Sequence, residues 1–528
     1  MSYLREYGTR STPQSESIPG SAQVENSAGG FVWAVDDWAR LRRFLILGSE
    51  GGSYYATERK LTRENADALM RCIKEDGPRT LAEVIAVSEA GRAPKNDPVI
   101  FALAALCSLG DDATRREGLK TIPRICRTGT HIFMFCEFVE QFRGWGRGLR
   151  RGVAAWYEQK EARPLSYQLV KYRQRNGWTH RDVLRLAHPN APTPDHAGLY
   201  EFACGRVPET DIGYVEGFVK AQAAVTAKQS ATLIREYGLP REAVRPEHLT
   251  APEVWDALLD DMPMTAMIRN LANMTRAGVV KPMSDGAARV VAQLGDMERL
   301  RKARVHPIAV LIALLTYASG QGLRGQNTWS PVTQVVDALD AAFYSSFGNV
   351  EPSGKRTLLA IDSSGSMTNG YLGNVAGIPG FSPCLAAAAM ALVTANTETT
   401  WQVMCFDTIA WASTLSPRMR LDEAMHSVNR RGGGTDCSLP FTYLEQFGID
   451  VDTVVTYTDS ETWAGRHHPV QALNRYRQQV GHDVRFATVG LVSNGFTVAD
   501  PDDAGMLDIV GFDTATPDLI SEFSRGLL

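Results

Sequence analysis

No two of the eight cysteines in this chain of 528 residues stand in a C-x-x-C pair. That argues against structural zinc. Several of them (Cys107, Cys136, Cys405) lie inside apolar runs, which suits a reducing compartment, and the chain reads as cytoplasmic. Long apolar runs are missing as well. VIFALAALCSL (Val99–Leu109) and IAVLIALLTYA (Ile308–Ala318) fall short of the ~18 residues that a membrane span needs, so both read as buried helices and no membrane partner is expected. The opening MSYLREYGTRSTPQSESIPGSAQ has neither an apolar core nor a cleavage site, and residues 1–23 read as a mobile tail rather than a signal peptide. There is no G-x-S-x-G elbow for a hydrolase serine, and His467 and His468 stand in a turn before Pro469 rather than after a late strand. Gly432–Gly434 are not followed by lysine, so they do not form a phosphate-cradling G-x-x-x-x-G-K-[ST] loop.

What is present is an ordinary globular composition, 44% apolar and 22% charged, in a chain too long for one core. The formal net charge of −4 hides an asymmetry. Residues 351–528 carry 11 Lys or Arg against 20 Asp or Glu, which leaves 44 against 39 for residues 1–350. The basic excess is concentrated between Arg143 and Arg185, where eleven cations (among them Arg147, Arg150, Lys171, Arg173 and Arg175) face only Glu158, Glu161 and Asp182. Such a stretch is either a solvated helix face or the footprint of a polyanion site. Trp145, Trp156, Tyr157 and Trp178 interleave it and could stack on bases, although large aromatics in a helical array more commonly belong to its core.

The chain divides by period. From about Asp36 to Phe347, segment after segment places apolar residues at i and i+3 or i+4 before a Gly, Pro or Asn, which predicts an all-helical half, a stacked solenoid. From Arg356 the runs RTLLAI, WQVMCF, DTVVTYT and DVRFATVGL read as short buried strands separated by helices such as SPCLAAAAMALVTANT, hence a parallel sheet covered on both faces. Asp362 ends the first of these strands in DSSGS and Asp459 follows a later one, so both emerge at the carboxyl edge where open sheets bind ligands. The glycine-rich RRGGGTDCS between them presents Thr435. Asp362, Ser364, Ser366, Thr435 and Asp459 offer five oxygen ligands of which two are charged, a set that suits Mg²⁺, or alternatively Mn²⁺. Turn and helix-cap duty is the competing reading of the same residues. Glu461 is either an acid behind the site or a plain surface residue.

Residues from about Thr357 onward resemble a von Willebrand factor A domain, and the five oxygen ligands fall on its metal-ion-dependent adhesion pattern D-x-S-x-S, T, D without departure. The stretches FVWAVDDWARLRRFLILGSEGGSYY, VKYRQRNGWTHRDVLRLAHP, MTAMIRNLANMTRAG, LDAAFYSSFGNVEPSGKR and SNGFTVADPDDAGMLDIVGFD resemble the Ro ribonucleoprotein autoantigen family, whose N-terminal part is the TROVE module. The Arg-over-Lys bias, 44 against 11, suggests a bacterial member. The resemblance implies a multidomain α and α/β protein: a HEAT-like RNA-binding solenoid over residues 24–355 shaped as a ring, closed by a Rossmann-like von Willebrand-type domain over 356–528. It implies a monomer that is no enzyme and that binds small noncoding Y-type RNA on its outer basic surface. Single-stranded 3′ ends of misfolded structured RNA would enter the central hole, with a 3′-to-5′ exoribonuclease as a further partner in RNA quality control and stress survival. Lys171, Arg175 and His188 match positions of the family that contact Y RNA. On a helix Lys171 and Arg175, four apart, would share one solvent-facing stripe, and Thr179 with Asp182 reads as a capping box opening the helix that His188 ends. Two other functions stand against this one: a metal-dependent protein-interaction module with the helical half as a spacer, and an enzyme that cuts RNA with the metal.

Overall fold

The computed structural model describes residues 11–47, 58–93, 95–175, 177–206, 212–303, 305–322, 327–347, 350–368, 382–428, 433–492, 495–512 and 515–527. Residues 1–10 of the expected tail lie outside them. The chain enters through β1 (Val24–Glu25) and β2 (Phe31–Ala34), and among the described residues it then runs through eighteen α-helices from Asp37–Leu47 to Thr333–Ser345, interrupted by the short strands β3 (Gln174–Arg175) and β4 (Trp178–Thr179) and two 3₁₀ turns. The helices pack pairwise in sequence order, as a solenoid does. The apolar helices Asp97–Leu109 and Pro307–Ser319 sit inside the array, the first burying ten of its thirteen residues. Among the described residues, no helix is long and apolar enough to cross a membrane.

The second half is a six-stranded sheet: β5 (Thr357–Asp362), β6 (Trp401–Phe406), β7 (Ala410–Ala412), β8 (Thr453–Thr458), β9 (Arg485–Gly490) and, after the short β10 (Phe496–Thr497), β11 (Met506–Val510). Its order is β11-β9-β8-β5-β6-β7, parallel except for β7, which turns back antiparallel on β6. β5 and β8 are buried at every position, the mark of strands covered on both faces. The helix Pro383–Thr397 covers one face, and its start is the expected one. Ser382 accepts from Leu385 N at the cap and Pro383 occupies the first turn.

The solenoid returns to its beginning. His306, at the start of the helix Pro307–Ser319, lies 3.1 Å through Nε2 from the carbonyl of Arg92, more than two hundred residues earlier. The Arg92 guanidinium in turn donates to Val510 O of β11. On the same edge of the sheet, Arg43 from the first helix grips Asp508. Both ends of the helical array therefore meet on the sheet domain, which closes the ring. The core is continuous across the joint, with Phe343 of the last solenoid helix 6.2 Å from Phe512.

The described part of the expected tail, residues 11–23, is not free. β2 pairs antiparallel with β10, so the N-terminal segment adds a strand to the C-terminal half, and Gln14 ahead of it is fully buried. Its polar composition conceals this, because hydrogen bonds hold the segment together with a single buried apolar anchor, Ile18.

Candidate functional site

β5 and β8 are neighbours at the point where the chain reverses direction across the sheet: from β5 it runs outward to β6 and β7, then back to β8. Asp362 ends one and Asp459 follows the other, so both carboxylates emerge into the crevice that a topological switch point leaves open. All five expected ligands are buried. Ser364 N donates to Asp362 Oδ1 at 2.9 Å, Thr458 Oγ1 donates to Oδ2 at 2.7 Å, and the Ser364 and Ser366 hydroxyls stand 3.1 Å apart. Ser366 also hydrogen-bonds Asp459. Gly365 N donates to Gly433 O at 3.2 Å, and Thr435 O accepts from Trp463 N and Ala464 N at 3.0 Å each. Three loops thus lock together at one edge and bring the five residues with them. Gly434 permits this closeness, since a Cβ there would lie 2.5 Å from the Trp463 indole.

The electrostatics are those of two buried carboxylates close together. Burial pushes the Asp362 carboxyl up, with the nearby Asp459 charge adding to it, and burial also pushes Asp459 up. The Thr435 hydroxyl is buried with no hydrogen-bond partner among the described residues. Leaving such a group desolvated costs about 1–3 kcal/mol. Two carboxylates and three hydroxyls, one of them the orphaned Thr435 oxygen, fit a hard divalent ion. Among the described residues, this site included, no group of three or more His, Cys, Asp or Glu gathers as a metal cluster.

Behind these residues lies a layer that the sequence did not disclose. Thr462 Oγ1 reaches both Thr435 O at 3.2 Å and Gln14 Oε1, while Gln14 Nε2 donates to Asp436 Oδ1 at 2.8 Å and to His467 O at 2.7 Å. Asn26 Nδ2 donates to Thr462 O at 2.8 Å. The N-terminal segment therefore clamps the loops that carry Thr435 and Asp459. Gln14→Ala should cost about 1–3 kcal/mol, because it strands buried partners on both loops; a thermal unfolding midpoint equal to wild type would contradict the clamp. Glu461 is fully buried, so its surface reading is wrong: its own N–H donates to Asp459 Oδ1, which turns the side chain inward.

The basic surface differs from expectation in one respect. Lys171 is the last residue of its helix and Tyr172 the cap, so Arg175 does not share a helical stripe with it. Gln174–Arg175 instead pairs with Trp178–Thr179 in a two-stranded hairpin that turns through Gly177 at φ +77°. The reason stands in the sequence, where Asn176-Gly177 is a hairpin-turn dipeptide within an otherwise helical reading. Lys171 is half-buried, its Nζ donating to Tyr167 OH at 2.9 Å and resting over the Tyr167 and Tyr172 rings. Arg147, Arg150, Arg173 and Arg175 are exposed, and none has a carboxylate partner among the described residues. The Thr179–Asp182 capping box is present, and it occupies one of the three acids of the stretch. Glu158 accepts from Asn190 N. His188 caps its helix in the left-handed region at φ 49°, with an exposed side chain. Trp156 and Tyr157 are core, whereas Trp145 and Trp178 are half-buried with ring centroids 6.3 Å apart.

Two family models account for the chain: the TROVE domain matches residues 24–232 and 239–355, and the Ro60 vWA domain matches residues 356–524. A Deinococcus radiodurans protein named RNA-binding protein RO60 is 41% identical over 530 residues, spanning 99% of this chain and 99% of its own length. A Caenorhabditis elegans protein of the same name is 34% identical over 587 residues, spanning 96% of this chain and 90% of its own length. The crystal structure of Deinococcus radiodurans RO (RSR) protein superposes with a TM-score of 0.72 at 41% identity, covering 93% of this chain and all of the other.

Proposed function

The chain belongs to the Ro60 family, in which a TROVE domain precedes a von Willebrand-type domain, and from that premise we propose that it is a noncatalytic RNA-binding protein of RNA quality control. The observation that carries the proposal is the row of exposed arginines without acidic partners at Arg147, Arg150, Arg173 and Arg175. Exposed guanidiniums without acidic partners can grip phosphates with two hydrogen bonds each, and the exposed His188 ends a helix that packs on the one carrying Arg147 and Arg150. The RNA is a small structured one of the Y type, and single-stranded 3′ ends of misfolded RNA pass through the ring. A 3′-to-5′ exoribonuclease acting on RNA so held, and action as a monomer, complete the proposal.

Asp362, Ser364, Ser366, Thr435 and Asp459 would hold Mg²⁺ or Mn²⁺, with a position left for water or a partner's carboxylate. When bound, the ion neutralises two buried carboxylates and gives Thr435 its missing partner. A site with three hydroxyls and two acids serves docking rather than phosphodiester cleavage, for which nucleases cluster several acids around paired metals. Purified protein should carry small RNA with it, and that RNA should remain intact on incubation with Mg²⁺; steady shortening would refute the noncatalytic reading.

The metal has its own test. At free Mg²⁺ of 100 times Kd the folded state should gain about 2.7 kcal/mol, reversed by chelation. Thr435→Val keeps the shape and removes the buried hydroxyl, so without metal it should be no less stable than wild type, while its response to Mg²⁺ should vanish. A variant that responds as wild type does would remove Thr435 from the ligand set.

A further inference from the structure

Lys171 turns toward a cleft of about 780 Å³ lined by its own helix, the helices Gly213–Ala223 and Met264–Arg276, and the segment 234–242. Two half-buried tyrosines from neighbouring helices form its aromatic wall: Tyr167 and Tyr214 meet edge to face with centroids 5.2 Å apart at 69°. Each carries a cation, Lys171 Nζ lying 5.1 Å from the Tyr167 centroid and Arg163 Cζ 5.2 Å from that of Tyr214. Across the cleft Arg241 donates through one guanidinium nitrogen to Asn270 Oδ1 at 3.0 Å, and Asn270 is itself anchored by donating to Ala266 O at 2.8 Å. That arrangement fixes the Arg241 guanidinium and leaves most of its five N–H donors for a ligand.

The charge of this cleft differs from that of the neighbouring surface. Four carboxylates, Glu242 and Asp261 among them, balance four cations in its lining, whereas the adjoining stretch from Arg143 to Arg185 is strongly basic. A balanced cleft does not track a polyphosphate backbone. Aromatic faces, carboxylate acceptors for exocyclic amino groups and fixed guanidinium donors suit a nucleobase, and the cations at the tyrosine wall suit the single phosphate attached to it. The volume lies in the range of pockets that enclose small ligands. We propose that this cleft receives one unpaired nucleotide of an RNA held on the arginine surface, with the base against Tyr167 and Tyr214 and its phosphate at Lys171 and Arg163. The inference rests on the RNA binding proposed above and adds a subsite for unpaired bases, which makes the protein discriminate between interrupted and continuous helices.

The test uses full-length protein and two hairpin RNAs of equal length closed by the same short, tightly structured tetraloop, one with a continuously paired stem and one with a single bulged 2-aminopurine in the stem. Wild type should bind the bulged hairpin about tenfold or more tightly, the gain expected from one base stacked on aromatic side chains, and should quench the 2-aminopurine fluorescence. Tyr214→Ala should erase both the preference and the quenching while leaving affinity for the paired hairpin unchanged. Because Tyr214 packs on Tyr167, the less intrusive Arg241→Gln is measured beside it and should reduce the preference in the same direction. Equal affinity of wild type for the two hairpins, or variants that weaken both alike, would overturn the subsite while leaving the arginine surface standing. Failure of wild type to bind either hairpin would overturn the RNA reading and the subsite with it.

Discussion

Arg43→Ala will lower the thermal unfolding midpoint more than any other single substitution considered, at a cost of about 3–5 kcal/mol. Arg43 is 1% exposed, in the first solenoid helix, and reaches into the sheet domain. Its guanidinium donates to both carboxylate oxygens of Asp508 on β11 at 2.8 Å and to Phe496 O on β10 at 2.8 Å. Truncation strands a carboxylate whose other recorded donor is Thr488 Oγ1 at 3.3 Å, together with a backbone carbonyl. A pair buried on the Arg43 side and only partly exposed at Asp508 costs more to break on one side than it contributes intact, so Arg43→Met combined with Asp508→Leu should recover much of the loss. The same joint is where the ring closes, through Arg92 to Val510 and His306 to Arg92, so Arg43→Ala should also expose the junction to proteolysis. A loss below about 1 kcal/mol would mean that the ring closes without this contact.

Replacing Arg147, Arg150, Arg173 and Arg175 together by glutamine should weaken binding of structured RNA by about a hundredfold or more. A charge-assisted hydrogen bond contributes about 1.5–3 kcal/mol, so even partial engagement of four guanidiniums exceeds the 2.7 kcal/mol that a hundredfold represents. The log–log salt slope should become shallower by about 3, at roughly 0.7 per lost phosphate contact. Thermal stability should change little, since all four side chains are exposed and among the described residues only Arg173 packs on a ring, with Cζ 4.8 Å from the Phe218 centroid. Unaltered affinity in the folded variant would return these arginines to an ordinary solvated face.

The strands β5, β6, β8 and β9 are plain in the sequence because four short apolar runs, bounded by polar turns, leave no helical alternative. The placement of Asp362, Ser364, Ser366 and Asp459 is equally plain, since serines and acids directly after buried strands emerge at the carboxyl edge. The clamp on that site is not. Gln14 lies in a polar, aperiodic segment more than four hundred residues from Asp436, and nothing local marks a glutamine that is held by long-range hydrogen bonds. Glu461 stays undecided in the sequence for a related reason: an acid in a loop reads equally as buried or exposed until the loop is seen to fold over Asp459. On the basic side, charge counting finds the exposed arginines, while the helical period carried past Lys171 as far as Arg175 misplaces Arg175 and hides the turn of Lys171 into the cleft. Local periodicity carries the elements; side-chain direction at their ends depends on tertiary contacts that no window of sequence contains.

The most direct measurement is the affinity of the wild-type protein for a stem-loop RNA with a single-stranded 3′ tail, followed from about 50 to about 200 mM salt beside a blunt duplex of equal length. The expected result is tighter binding of the tailed stem-loop at every salt concentration, with log affinity falling linearly and steeply against log salt. Equal affinity for the two RNAs would contradict passage of a free end through the ring, and an affinity indifferent to salt would contradict the arginine surface itself.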